Sequence, residues 1–599
     1  MPSTFGSVSD RPTARGEPAS RTEGLLVGAG RPRVLLMQGA ILLVALLSMI
    51  ALIDNGSFAN PDEGLYTAQA DTLAHGSWQR PRPALDVDSN GDWSALASDS
   101  RTATDEIPYS RRPLYPILLT PFWTLGGTAG SMALSVLGAS VAALCAGFIG
   151  RQLDHRLGAP ALWLVGLTTP LIYYTYLAVG HAIACAFSAA LALAVTKAVS
   201  ELERKTPSRR RTWAAAAMSC AATVPLVLLR SEGVILVIAV AGATAIVGMD
   251  VRAPLSLRSQ SYLGVGGLIA AVGVAAYFLN DLWARGVTAG GGGDGDVTAI
   301  SRAPDPLHLL WASVLRPWYP DNSFASASMV LVIVGSVTAP LLLRWVPRMR
   351  LLALALLVMA ATASLIRLLE RPSLISGFFA TAPWLVAGLL SLSRADLQDR
   401  CVRVLLAASV ITFVGVLLTS YGEGGGDEWG GRFFLVTIPL MAPVAALGLL
   451  HLIARLPKGD SIVVIACTAI VAFSLSAAAL RENATARAQA RTLTEFIVDS
   501  SKATDADLVV FSPMRGGGAS RKFWRIGSGL DLVAANGIGT LPILLGDVPP
   551  NRERVLVVTD APHPVIASFA SKTKGANWTL TGDFDGPGDL LDVFELERK

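Results

Sequence analysis

The sequence predicts an α-helical polytopic membrane protein, with about thirteen transmembrane helices, followed by a C-terminal soluble α/β domain. Three observations predict it. Of 599 residues, 52% are hydrophobic and 16% charged, where soluble domains carry roughly 25% charged residues. The missing charge is missing from runs of membrane-spanning length. Residues 481–599 break that pattern, with short apolar runs set between Gly, Pro and Asp turns.

Residues 1–33 are rich in Arg, Ser, Gly and Pro and read as a disordered cytoplasmic leader. The stretch VLLMQGAILLVALLSMIALI, residues 34–53, then runs without a charge. A crossing needs about 20 residues to cover about 30 Å of hydrocarbon, so this is the first span. No small-residue cleavage pattern follows Ile53, and the segment reads as an uncleaved anchor.

Further spans are expected near 130–150, 158–177, 181–199, 213–229, 233–249, 262–282, 328–343, 351–366, 374–392, 403–420, 434–454 and 461–480, which gives a transmembrane domain over 34–480. With the basic leader inside, the connections ELERKTPSRRRT, RWVPRMR, SRADLQDRCVR and ARLPKGD are inside too. These are the Arg/Lys-rich ones, as the positive-inside rule requires. The alternation exports 54–129, 283–327, 421–433 and 481–599. The protein therefore reads as a multi-pass cell-membrane protein with a cytoplasmic N-terminus and an extracytoplasmic C-terminal domain. In that domain a helix-like RENATARAQARTLTEFIVDSS precedes the apolar runs DLVVFS, LPILLGD, RVLVVTD, WTLTGDF and LDVFELE, which read as strands.

Composition excludes several functions. The net charge of +4 is small and its basic residues sit mostly in short loops between spans, so there is no nucleic-acid footprint. There is no GxxxxGK[ST] phosphate loop. Cys145, Cys185, Cys220 and Cys467 lie inside apolar runs and Cys401 beside one, which fits neither a disulfide framework nor a zinc ligand set.

The candidate chemistry lies in the first outer loop, 54–129, which begins DNGSFANPDEGLYTAQADTLAHGSW. Asn60, Pro61 and Glu63 have the spacing of a helix start, with Asn as cap, Pro in the first turn and Glu three residues on, reaching back. An acidic cap that favours the helix dipole is one reading of the pair Asp62 and Glu63. If the cap occupies Glu63, Asp62 is the freer carboxylate and the better candidate base.

Here the sequence resembles the GT-C superfamily of membrane glycosyltransferases, in the branch of protein O-mannosyltransferases and the lipid A aminoarabinose transferase. The matching pieces are Asp62, Glu63 and Tyr66, then the turn Gly76, Ser77 and Trp78, then Arg112, Pro113, Leu114 and Tyr115; later, GGDEWGGRFFLVTIPLMAPVAALGLL looks like the family's Gly-rich, Arg-containing entrance to a late helix. The resemblance covers about residues 34–454. It implies transfer of a hexose or pentose from a polyprenyl-phosphate donor to a hydroxyl of a glycan, lipid or protein acceptor, at the outer face of the bilayer and with inversion. Asp62, with Glu63 beside it, is then the general base.

The leaving lipid phosphate calls for fixed cations, and Arg suits phosphate because its planar fork binds two oxygens. Arg112 matches the family's basic position, and Arg111 adjoins it. Both could instead anchor an interfacial helix. Arg230 and Glu232 interrupt an apolar stretch, as a cavity-facing pair or as a turn between two spans. Arg432 follows the run GEGGGDEWGG at a membrane edge, where it meets donor phosphate or anchors a helix. Tyr66, Tyr115, His181 and Arg316 are candidate substrate contacts, with Trp318 and Tyr319 beside Arg316; a structural turn histidine and an aromatic belt are the plainer alternatives.

Asp86, Asp88, Asn90 and Asp92, with Gly91 at the turn, match the first half of a calcium loop. The twelfth position is Ala97 and not a bidentate Glu, so a solvated acidic loop is the other reading; Asp99 or Asp105 could complete a site. No cofactor is required by the transfer itself. Two other classes remain open: a transporter, which would place polar or broken helices at the midplane, and a non-catalytic envelope-assembly membrane protein.

Overall fold

The structure, a computed structural model, describes residues 31–599 except 83, 90–91, 97–105, 108–111, 250–255, 288–304, 318–322, 370–373, 421–428, 513–518, 527–528, 536, 572, 574–577 and 585–590. Eleven helices among the described residues are long and apolar enough to cross a membrane. They are carried by α1 (Pro32–Ile53), α3 (Leu114–Leu153), α5 (His181–Leu202), α6 (Arg209–Leu229), α7 (Ser231–Gly248), α8 (Leu257–Val287), α9 (Ser323–Trp345), α10 (Arg350–Leu369), α12 (Arg400–Thr419), α13 (Ile438–Ile453) and α14 (Lys458–Thr504). Between α1 and α3 lies the short α2 (Pro61–Ala74). In α1 the buried positions Leu35, Gly39, Leu42, Leu46, Ile50 and Ile53 form one stripe, while Leu36, Ile41, Val44 and Leu52 stay exposed. Such a helix has one face on protein and one left for lipid.

The other two expected spans are broken. In 158–177, helix α4 (Gly158–Leu167) has 10 residues, only about 15 Å of rise, before Thr168, Thr169 and Pro170. In 374–392, a turn at Phe378–Thr381 precedes α11 (Pro383–Leu390). The freed carbonyl of Thr168 accepts the indole N–H of Trp384 at 3.0 Å, so one break supplies the donor that the other lacks. Both pack on α13, the most enclosed of the spans. Gly388 and Gly448 let the α11 and α13 backbones approach directly, the small-residue packing common between membrane helices.

Helix α3 contains a break at Gly127 (φ 56°), which separates the juxtamembrane stretch starting PLYPILLTPFW from the span proper. Helix α14 is 47 residues long, about 70 Å, and continues through residue 480 without interruption into the soluble domain.

That domain holds a five-stranded sheet in the order β4-β3-β5-β7-β6, formed by β3 (Leu508–Phe511), β4 (Asp531–Ala534), β5 (Arg554–Thr559), β6 (Trp578–Phe584) and β7 (Asp592–Arg598). β4, β3 and β5 are parallel; β7 runs antiparallel to β5, and β6 to β7. LPILLGD is a helix, α15 (Leu541–Asp547), and not the expected strand. Pro542 cannot donate to a ladder but suits a first helical turn, and the buried Leu541, Leu544 and Leu545 have helical spacing.

The loop between α1 and α3 and this domain form one body. Strands β1 (Arg80–Pro81) and β2 (Glu106–Ile107) pair within the loop. The Ala534 amide on edge strand β4 donates to the Trp93 carbonyl at 2.8 Å, and Ala84, Val87 and Trp93 lie in the core of the sheet domain. The loop thus covers a sheet edge that would otherwise stay open.

Candidate active site

The start of α2 folds as its spacing predicts. Asn60 is the N-cap, its side chain accepting the Asp62 amide at 2.7 Å. Glu63 reaches back, one oxygen accepting the amides of Ala59 at 2.8 Å and Asn60 at 3.1 Å. Its other oxygen accepts the Ala178 amide at 2.8 Å and the guanidinium of Arg487 at 2.5 Å. Glu63 is 1% exposed, and both its oxygens are used in holding α2 against the bundle.

Arg487 lies on α14 where the helix leaves the bundle. It is fully buried and also donates to the carbonyls of Ser57 and Tyr176 and to Asn483 Oδ1. A buried guanidinium needs this degree of satisfaction.

With Glu63 occupied, Asp62 is left at the surface of the cluster, its side chain 21% exposed. Arg432 Nη1 lies 3.2 Å from one of its oxygens and Arg521 Nη1 4.0 Å from the other. Arg432 is placed by the turn Trp429–Gly431. Gly430 and Gly431 take φ of +64° and +60°, a conformation glycine adopts without strain, and side chains there would meet Pro170 and the Ser313 carbonyl. Tyr174 donates its hydroxyl to the Trp429 carbonyl at 2.8 Å. The broken segments therefore seat the loop that presents Arg432.

Arg521 comes from the soluble domain, in the short turn Ala519–Phe523. A Cβ on Gly64 would sit 1.8 Å from the Arg521 carbonyl oxygen, so the turn docks directly on the backbone of α2. Trp524, just after it, donates to the Thr67 hydroxyl at 3.2 Å and stacks on Phe58.

The other expected site residues are placed as follows. Tyr66 and Tyr115 meet edge to face, ring centroids 4.9 Å apart, both buried. His181 starts α5 against the ring of Tyr174 and is buried. Arg230 is the extended residue between α6 and α7 and pairs with Glu232 at 2.7 Å, so this charge pair forms a turn. Arg112 is buried and donates to the Val227 carbonyl near the end of α6 at 2.7 Å. Arg316 donates to the Ser376 hydroxyl at 2.9 Å. Arg111, Trp318 and Tyr319 lie outside the described residues, as do Asn90, Gly91, Ala97, Asp99 and Asp105 of the calcium reading and residues 1–30 of the leader.

Asp86 and Asp88 point to different partners. Asp86 forms a two-pronged pair with Arg552 at 2.8 and 3.0 Å, and this guanidinium holds its carboxyl below the usual carboxylate range. Asp88 is buried and accepts the Trp93 amide at 2.8 Å. Among the described residues no three His, Cys, Asp or Glu side chains converge as a metal site.

No protein-family model matches the sequence, and no curated protein matches it either. Solved structures do. The ArnT of Cupriavidus metallidurans, bound to undecaprenyl phosphate, superposes with a TM-score of 0.51 at 11% identity, covering 93% of this chain and 97% of its own. The chain shares the fold of that ArnT structure. A looser superposition is found with the Archaeoglobus fulgidus oligosaccharyltransferase in complex with Zn and sulfate, at a TM-score of 0.49 and 13% identity, over 89% of this chain and 70% of that one.

Within this fold, the sequence analysis missed Arg487 and Arg521. Arg487 carries no local signal, because its partner Glu63 is 424 positions away. The run MRGGGASRKFWR, residues 514–525, does carry one: Gly-rich, basic and aromatic within an otherwise strand-forming tail.

Proposed function

We propose that this protein is a membrane glycosyltransferase that moves a sugar from a polyprenyl-phosphate donor to an acceptor hydroxyl, with Asp62 as general base. The observation that carries the proposal is the placement of Asp62. Its carboxylate is held at a helix start, partly open, between Arg432 and Arg521. One oxygen set can take a proton while the flanking guanidiniums take a phosphate, which is what this transfer needs.

In this reading the acceptor oxygen attacks the anomeric carbon and its proton passes to Asp62. The bond from that carbon to the phosphate oxygen breaks, and the electron pair leaves with the lipid phosphate. Attack opposite the leaving group inverts the anomeric centre. Arg432 stabilises the charge that develops on phosphate. Glu63 and Arg112, both committed to internal hydrogen bonds, position the site and leave the chemistry to Asp62. The bound polyprenyl phosphate of the ArnT structure is the ligand class this reading carries over to the present chain.

The topology belongs to the same proposal. The leader 1–33 is cytoplasmic, and loop 54–129 and residues 481–599 are extracytoplasmic, so the site opens on the outer face. Incubating the purified protein with labelled polyprenyl-phosphate hexoses and pentoses, and following release of lipid phosphate, tests the reaction. Release with one of these donors supports it; no release with any overturns it.

A further inference from the structure

The turn that joins α5 to α6 lies at the far end of the bundle from Asp62. Helix α5 starts at His181, whose neighbour Tyr174 holds the turn that presents Arg432, and its 22 residues rise about 33 Å. At that far end the segment ELERKTPSRRR, residues 201–211, carries five basic residues and two acidic ones. Both carboxylates are engaged within the protein. Glu201 accepts the Ser208 amide at 3.0 Å and pairs with Arg204 at 3.0 Å. Glu203 accepts the Tyr262 hydroxyl at 2.7 Å and pairs with Arg400, with Arg258 3.9 Å away. Lys205, Arg209, Arg210 and Arg211 are exposed, and their side chains make no ion pair or hydrogen bond with any described residue.

Three of these cations open α6, whose first turn holds no acidic residue. The positive end of the helix dipole opposes them there, so an anion at this place relieves both charges. The rest of α6, Thr212 to Leu229, rises about 27 Å, close to the roughly 30 Å of bilayer hydrocarbon. The three guanidiniums therefore sit at headgroup depth. Below Arg210 on the same helix face come Ala214, Ala217 and Ala221, all exposed. Trp213, 50% exposed, and Met218, 48% exposed, flank this strip on its two sides, with Arg209 one turn above Trp213. The strip is a shallow channel, walled by two large side chains and headed by three cations. The positive-inside rule asks for charge in such a turn and not for an apolar channel beneath it.

We infer that the start of α6 is a binding site for an anionic phospholipid, its phosphate held by Arg209, Arg210 and Arg211 and one acyl chain lying along Ala214, Ala217 and Ala221. Arginine forks suit the phosphate, and the channel suits a chain. The site stands apart from Asp62 and is independent of the transfer proposed above.

The test uses the full-length protein, stripped of lipid in detergent, and follows binding of phosphatidylglycerol and phosphatidylcholine by native mass spectrometry. Wild type is expected to bind phosphatidylglycerol at least about ten-fold more tightly than phosphatidylcholine, with the preference shrinking as salt rises. The combined variant Arg209→Gln, Arg210→Gln, Arg211→Gln should lose that preference. The combined variant Ala214→Leu, Ala217→Leu keeps every charge and adds apolar surface on the lipid side, so it inserts even where the first variant does not. It should bind phosphatidylglycerol roughly five-fold more weakly, through loss of part of the buried chain. Equal affinity of wild type for the two lipids overturns the site, as does an undiminished preference in the Gln variant or wild-type affinity in the Leu variant. Displacement of bound phosphatidylglycerol by soluble polyglutamate would make the partner an acidic protein segment and overturn the lipid assignment.

Discussion

Arg487, on the last membrane helix, donates to Glu63 at 2.5 Å, and the two side chains are 0% and 1% exposed. One carboxylate thereby joins the helix-start loop, the turn at Ala178 and the helix that leads to the soluble domain. The candidate base is the residue next to it.

Breaking that pair leaves a buried charge without its partner, which costs about 3–5 kcal/mol. Arg487→Met is expected to lower the unfolding temperature of the detergent-solubilised protein steeply and to reduce its yield. A variant as stable as wild type would show that Glu63 is held by its amide donors alone.

Gly64→Ala places a methyl group against the Arg521 carbonyl. Relief of that clash needs the 519–523 turn to lift off α2, at a cost of about 1–3 kcal/mol. Hydrogen exchange should report faster labelling of residues 519–526 and of the start of α2, with the membrane helices unchanged. Unchanged exchange at those segments would mean that the domain does not dock through this glycine.

The Asp86–Arg552 pair ties the loop between α1 and α3 to the sheet domain. Its carboxyl is held low by Arg552, so its contribution is present above the unfolded value of about 3.9 and is lost as pH falls through the folded value. With Asp86 38% exposed, that contribution is at most about 1 kcal/mol. Protection of residues 84–94 should fall as pH drops below about 4, and Asp86→Asn should lack that step. A step of equal size in Asp86→Asn would assign it to another group.

Much of this architecture was legible in the sequence because its causes are local. Apolar runs of bilayer length gave the spans, and the NPDE spacing gave the capping box at Asn60 and Glu63. Four of the five apolar runs in the tail became strands. What was not legible depends on distant partners. The breaks in 158–177 and 374–392 are mutually satisfied through Trp384 and Thr168, and neither segment alone announces it. Nothing near Asp86 in sequence announces its partner Arg552. The second cation beside Asp62 comes from Arg521, brought by a fold that composition does not specify.

The central claim is tested most directly by Asp62→Asn. The cap uses the Asp62 backbone amide, and the partly exposed pairs with Arg432 and Arg521 are worth about 1 kcal/mol, so the variant should insert like wild type and unfold at a slightly lower temperature. With the labelled donor that wild type uses, it should release lipid phosphate at least about a hundred-fold more slowly, the loss typical of a removed general base. Release at the wild-type rate from the folded Asp62→Asn protein would contradict the account.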